Sequence, residues 1–169
     1  MRLVMAGLSA IGLVATGAYA VAAPSAKGHT HATFSAGAPG NPKRPFRVID
    51  VKMGEGDGKM FYVPDRIEVQ RGEQIKFVIR NEGGLKHEFM LDTVAANAKH
   101  AIAMQKNPEM QHDDPNGKQA EPSKTVEMLW RFTKVGSFEF ACLIPGHYEA
   151  GMKGVVVVTS RKARKAAAK

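Results

Sequence analysis

The sequence predicts an all-β domain, an antiparallel sandwich or barrel that carries one helix-plus-loop insertion. From Phe46 onward, apolar and polar residues alternate with a period of two, which is typical of half-buried strands. The alternating runs are short, and turns containing Gly or Pro separate them, as in sandwiches and barrels. One segment, residues 93–123, breaks the alternation. Its first part, residues 93–106, is Ala-rich and favours a helix that stops before Pro108, and a polar loop follows.

The predicted strands follow one another along the chain without any internal repeat. They are residues 47–53, 67–70, 75–80, 85–92, 125–132, 137–142 and 155–158. Their alternation also predicts which side chains face the core. His87 shares a face with Leu85, Phe89 and Leu91, and Cys142 shares a face with Phe140. Both His87 and Cys142 are therefore expected to point inward.

The N-terminus predicts export. Arg2 precedes an uncharged apolar stretch, and small residues at 18–20 or 21–23 supply a cleavage site. Residues 1–23 are therefore predicted to be a signal peptide for the bacterial periplasm or another extracytoplasmic space. An uncleaved membrane anchor is the alternative, because the apolar stretch is close to the length that spans a bilayer.

The rest of the chain divides into a leader, a domain and a tail. Residues 24–45 are predicted to be a flexible leader, residues 46–160 the β domain, and residues 161–169 a solvated basic tail. The net charge of +8 owes much to this tail. Since no basic stripe interleaved with aromatics accompanies it, nucleic acid is not an expected partner.

One short segment carries the residues with metal chemistry. Cys142, His147 and Met152 follow one another in the spacing Cys-x4-His-x4-Met, and the inward-facing His87 can reach them from another strand. Two imidazoles, one thiolate and one thioether are the ligands of blue-copper electron-transfer sites. Imidazole and soft sulfur together suit both Cu(II) and Cu(I). The chain has a single Cys, which excludes an intrachain disulfide and a Cys-rich zinc module.

Two other interpretations of these residues remain open. Taken singly, Cys142, His87 and Met152 could be ordinary core or loop residues. Cys142 and His147 could also form the nucleophile and base of a thiol enzyme. An inward-facing Cys behind Phe138 and Phe140 has poor access to a substrate, so no enzyme activity is predicted.

Residues 136–142, which lead into Ile144-Pro145-Gly146-His147, resemble the cupredoxins, the family of plastocyanin, azurin and auracyanin. The resemblance covers residues 46–159 and includes His87. It implies a Greek-key β-sandwich of two sheets with one type 1 copper per chain. His87, Cys142 and His147 would be the strong ligands and Met152 the axial ligand, with His147 nearest to solvent as the exit for electrons.

Two positions depart from the family pattern. Many cupredoxins have Asn directly after the first His, where it ties the ligand loops together, but this chain has Glu88. That link is therefore in doubt. Lys86 stands where azurins have a Gly whose carbonyl approaches the metal, so no fifth ligand is expected.

Four further donor residues lie in the insertion: His100, Met104, Met110 and His112. They could form an accessory Cu(I)-binding patch. Alternatively, Met104 packs against the sandwich and the His residues are exposed.

The expected function is a periplasmic electron carrier that cycles between Cu(I) and Cu(II) and meets a redox partner such as a cytochrome. The alternative is a copper-tolerance protein that sequesters copper or passes it to copper-handling proteins. Residues 82–91 and 147–152 are similar to exported cupredoxins associated with copper tolerance. Either protein is expected to be a monomer without a stable membrane span after cleavage.

Overall fold

The computed structural model describes residues 34–107 and 114–160. Within these residues the chain forms ten strands and one helix. The elements are β1 (Gly37–Pro39), β2 (Arg47–Gly56), β3 (Lys59–Val63), β4 (Arg66–Gln70), β5 (Gln74–Asn81), β6 (His87–Asp92), α1 (Val94–Lys106), β7 (Gly117–Ala120), β8 (Thr125–Phe132), β9 (Gly136–Ala141) and β10 (Lys153–Thr159). No helix in the described ranges is both long and apolar enough to cross a membrane.

The strands form two five-stranded sheets, in the orders β1-β8-β5-β2-β3 and β4-β10-β9-β6-β7. The predicted all-β sandwich is thus confirmed. The expectation of purely antiparallel sheets is wrong, because β2 pairs with β5, and β4 with β10, in parallel. Between β2 and β5, and again between β4 and β10, the chain crosses to the other sheet and adds a strand there. This crossover allows the paired strands to run in the same direction.

Aromatic side chains fill the space between the sheets. Phe77, Phe89, Phe140 and Trp130 are all fully buried, as the alternation predicts. The rings of Phe89 and Phe140 stack with centroids 4.9 Å apart, and Phe77 lies 5.3 Å from Phe89. Each such buried side chain contributes roughly 1.5–3 kcal/mol to folding. This core fixes β6 and β9 against the opposite sheet.

Strand β6 is buried on both faces. Phe89 belongs to the main core, whereas Met90 packs on the other face in a small cluster with Met104, Ala141 and Leu143. The inward orientation of His87 is confirmed, since this residue is fully buried. The expectation for Leu85 is wrong: it precedes the strand and is 46% exposed.

Helix α1 begins where the sequence predicts. The Thr93 side chain caps it by accepting a hydrogen bond from the backbone N–H of Ala96 at 3.2 Å. Met104 is buried beneath the helix, against the outer face of the sheet. The polar segment that follows is not all loop, because β7 pairs with β6. Strand β7 contains no large apolar residue, so alternation could not reveal it.

Part of the predicted leader belongs to the sandwich. Strand β1 pairs with β8, Ala36 is fully buried, and the Phe34 ring lies 5.3 Å from that of Trp130. A flexible leader is therefore wrong for residues 34–39. Strand β1 is only three residues long and begins with a glycine, so no period could show. Residues 24–33, the predicted signal peptide and the basic tail at 161–169 lie outside the described residues.

Candidate metal centre

Two neighbouring strands and one loop carry the four predicted side chains. His87 opens β6, and Cys142 directly follows β9. These strands pair side by side, with Met90 opposite Ala141. His147 and Met152 lie on the loop between β9 and β10. The sheet register therefore brings His87 beside a loop that is remote from it in sequence.

Three donor atoms converge at one point. The Nδ1 atoms of His87 and His147 are 3.2 Å apart, and Cys142 Sγ is 3.3 Å from His147 Nδ1. All three donors lie within 4.8 Å of one another. Donors bound to one ion at roughly 2.0–2.3 Å in a trigonal plane lie about 3.5–4 Å apart. Modest shifts of these side chains would therefore let them hold one ion.

Met152 is fully buried and is tied to both sides of the donor loop. Its backbone N–H donates to the carbonyl of His147, and its carbonyl accepts from the N–H of Cys142, each at 3.1 Å. Gly146 and Gly151 turn this loop with φ of 89° and 101°, in the left-handed region that favours glycine. The structure thus keeps Met152 next to Cys142 and His147 in a closed loop, and its thioether remains a predicted ligand.

Burial favours the uncharged forms of Cys142 and His147 in the metal-free protein. Burial raises the pKa of the Cys142 thiol to about 12, although the N–H of Glu88, which donates to Sγ at 3.3 Å, opposes the rise. Burial also lowers the pKa of His147, and the neighbouring His87 lowers it further. At neutral pH the pair is therefore a thiol and a neutral imidazole. A metal ion must displace the thiol proton to bind.

Glu88 supplies the link between loops that the sequence left in doubt. Its side chain is fully buried, and Oε2 accepts a hydrogen bond from the backbone N–H of Leu143 at 3.2 Å. Its backbone carbonyl accepts a hydrogen bond from the hydroxyl of Tyr62. The link between the ligand loops is therefore present: the carboxylate of Glu88, in place of an Asn, joins β6 to the loop after Cys142.

Glu55, at the end of β2, is a site residue that the sequence did not reveal. Its Oε2 lies 2.7 Å from His87 Nε2, and its Oε1 accepts from the backbone N–H groups of Gly84 and Leu85 at 2.6 and 3.1 Å. The bond to His87 and these backbone donors lower the pKa of Glu55. No motif surrounds Glu55, and only the tertiary fold brings it to His87.

Of the four donors in the insertion, the structure describes His100 and Met104, and these two do not form an open patch. Met104 is fully buried in the cluster with Met90 and Leu143, so the packing interpretation is right for this residue. His100 is partly buried on the same helix. Met110 and His112 lie outside the described residues.

A two-sheet sandwich with one thiol and two imidazoles gathered at a loop defines a small copper-binding protein of the cupredoxin class. The family of copper binding proteins described as plastocyanin/azurin matches residues 49–159, so this chain belongs to that family. The resemblance recognised in the sequence is confirmed, and copper is the metal of this protein.

Two named relatives and one solved structure are similar to this chain. The copper-resistant cuproprotein CopI of Rubrivivax gelatinosus is 42% identical over 151 residues, which cover 83% of this chain and 90% of that protein. CopI of Pseudomonas aeruginosa is 37% identical over 186 residues, covering 93% and 97%. The structure of auracyanin B superposes with a TM-score of 0.59 at 20% identity, covering 76% of this chain and 99% of that one. This last similarity shows a common fold.

Proposed function

We propose that His87 Nδ1, Cys142 Sγ and His147 Nδ1 bind one type 1 copper ion, with the thioether of Met152 as its axial ligand. The convergence of the three donors carries this proposal, because two imidazoles and one thiolate match the preferences of copper. A bound copper would supply one-electron chemistry. The protein holds the donors in place through the closed loop and the buried side chain of Glu88.

The function that we propose for this centre is copper tolerance in the periplasm, by sequestering copper or passing it to copper-handling proteins. Two relatives named copper-resistant cuproproteins, aligned over most of the chain, support this choice. The soft sulfur donors also suit Cu(I), and their burial shields the metal from competing ligands. Export through residues 1–23 would place the site where it meets incoming copper.

Electron transfer with a partner such as a cytochrome is the second candidate. His147 favours it, because this residue is 9% exposed whereas His87, Cys142 and Met152 are fully buried. An electron could therefore pass to a partner protein through the edge of His147.

An enzyme activity is not part of the proposal. Cys142 and His147 are within the reach that a nucleophile and its base require. However, the thiol is fully buried and its pKa is raised to about 12, whereas an activated nucleophile needs a lowered pKa and access to substrate.

Growth on copper tests the proposed function. We expect deletion of the gene to lower the copper concentration that stops growth, the wild-type gene to restore it, and Cys142→Ser to fail. As a control, the amount of the Cys142→Ser protein in the periplasmic fraction should match that of the wild-type protein. A deletion strain with normal copper tolerance but impaired respiratory electron flow would overturn copper tolerance in favour of electron transfer.

A further inference from the structure

The carboxylate of Glu55 is held between a backbone loop and the buried imidazole of His87. One oxygen accepts from the N–H groups of Gly84 and Leu85, and the other lies 2.7 Å from His87 Nε2. The side chain of Glu55 is 26% exposed, whereas that of His87 is completely buried. The pair therefore extends from the protein surface to the donor cluster.

The loop at Gly83 leaves room for this carboxylate. A Cβ added to Gly83 would lie 2.0 Å from Glu55 Oε2, so any other residue there would collide with the carboxylate. Glu55 itself pairs with Met60 in the β2–β3 ladder, which fixes its backbone. Strand and loop together thus place the side chain against His87.

This contact determines which nitrogen of His87 faces the metal. An ionised carboxylate can only accept hydrogen bonds, so His87 Nε2 must carry the proton. In a neutral imidazole the other nitrogen then has a free lone pair. That nitrogen, Nδ1, is the one that lies 3.2 Å from His147 Nδ1. Carboxylates that hold metal-binding histidines in this way orient the ring and raise its basicity.

We infer that Glu55 is a positioning residue of the copper centre, which fixes the tautomer of His87 and places a negative charge beside that ligand. The inference rests on the proposed copper site. A charge next to the ligand stabilises Cu(II) relative to Cu(I), so Glu55 lowers the reduction potential. Glu55 does not itself reach the metal in this role.

The test compares Glu55→Gln with Glu82→Gln by redox titration of the copper-loaded protein. Glu82 carries the same charge nearby but pairs with Lys52, at 2.9 Å. We expect Glu55→Gln to shift the Cu(II)/Cu(I) equilibrium toward Cu(I) by at least about tenfold, or about 59 mV for one electron. Glu82→Gln should shift it less than about threefold, because its charge is exposed and screened. Equal shifts in the two variants would overturn the inference.

A second measurement needs no variant. In the metal-free wild-type protein, the ¹⁵N chemical shifts of the His87 ring should show a proton on Nε2, and a proton on Nδ1 would overturn the inference even if Glu55→Gln failed to fold. The copper site has a separate test. A wild-type protein without thiolate-to-copper absorption would refute the site itself, whereas normal absorption with no specific effect of Glu55→Gln refutes only the role of Glu55.

Discussion

Cys142 and His147 lie 3.3 Å apart, yet their pKa values move in directions that prevent an ion pair. Burial raises the pKa of the thiol to about 12 and lowers that of the imidazole. The metal-free protein therefore holds a neutral pair. If copper binds there as we propose, it would replace the thiol proton, so that one proton is released for each metal ion bound.

This exchange predicts the pH dependence of copper affinity. Below the raised pKa of Cys142 the thiol is protonated, so each copper bound at this residue releases one proton. His147 releases none near neutral pH, because its pKa is lowered. We expect affinity to rise about tenfold per pH unit between about pH 7.5 and 9. Competition with a chelator of known pH dependence measures it, and a flat profile would mean that the thiol is already ionised.

Glu88 provides a second prediction for a single residue. Glu88→Ala leaves the buried N–H of Leu143 without its partner, which should cost about 1–3 kcal/mol in the free energy of unfolding. Glu88→Asn, with the residue that many cupredoxins carry, retains a side-chain acceptor and should lose less. Chemical denaturation of the metal-free protein measures both. If the Glu88→Ala protein is as stable as the wild type, the hydrogen bond between Glu88 and the donor loop does not contribute to the free energy of unfolding.

Among the elements, α1 acts as a support for the metal loop. Asn97 on the helix donates from Nδ2 to Glu139 Oε1, and the Tyr148 hydroxyl donates to Glu139 Oε2, both at 3.0 Å. Tyr148 directly follows His147. The helix is therefore joined through the nearly buried Glu139 of β9 to the loop that carries the predicted ligands, and Met104 packs beneath it.

The position of Met104 leads to a prediction that separates packing from copper storage. Met104→Ala should destabilise the protein by about 2–5 kcal/mol, because it opens a cavity under α1. Met104→Leu, which nearly conserves volume, should cost less than about 1.5 kcal/mol. Thermal or chemical unfolding gives these values, and copper analysis of Met104→Leu should still find the wild-type stoichiometry. Loss of copper in this variant would instead support the accessory patch.

For the whole molecule, sequence reasoning succeeded where side chains alternate and failed where contacts are remote. The inward orientation of His87 could be predicted because it alternates in phase with Phe89 and Leu91. That of Cys142 could be predicted because it alternates in phase with Phe138 and Phe140. The role of Glu55 could not, since nothing in the residues around it points to a histidine on another strand. Strands β1 and β7 were missed because they are short and depend on pairing with β8 and β6.

The two sheets and the loop between β9 and β10 together assemble the predicted metal site. The main core fixes β6 and β9, their pairing sets His87 beside Cys142, and a closed loop returns His147 and Met152 to the same place. Glu88 and Glu55 then hold this arrangement from two sides. A donor set held rigidly in this way would suit a copper ion that cycles between Cu(I) and Cu(II), because the positions of its ligands would change little between the two states.

Visible absorption during titration with Cu(II) tests the central claim, that one copper binds to the thiolate of Cys142, most directly. The purified wild-type protein should develop an intense thiolate-to-copper band that saturates at one equivalent. Cys142→Ser should show none, while Met152→Leu should keep a perturbed band because the other three donors remain. A band of unchanged intensity in Cys142→Ser would contradict the account.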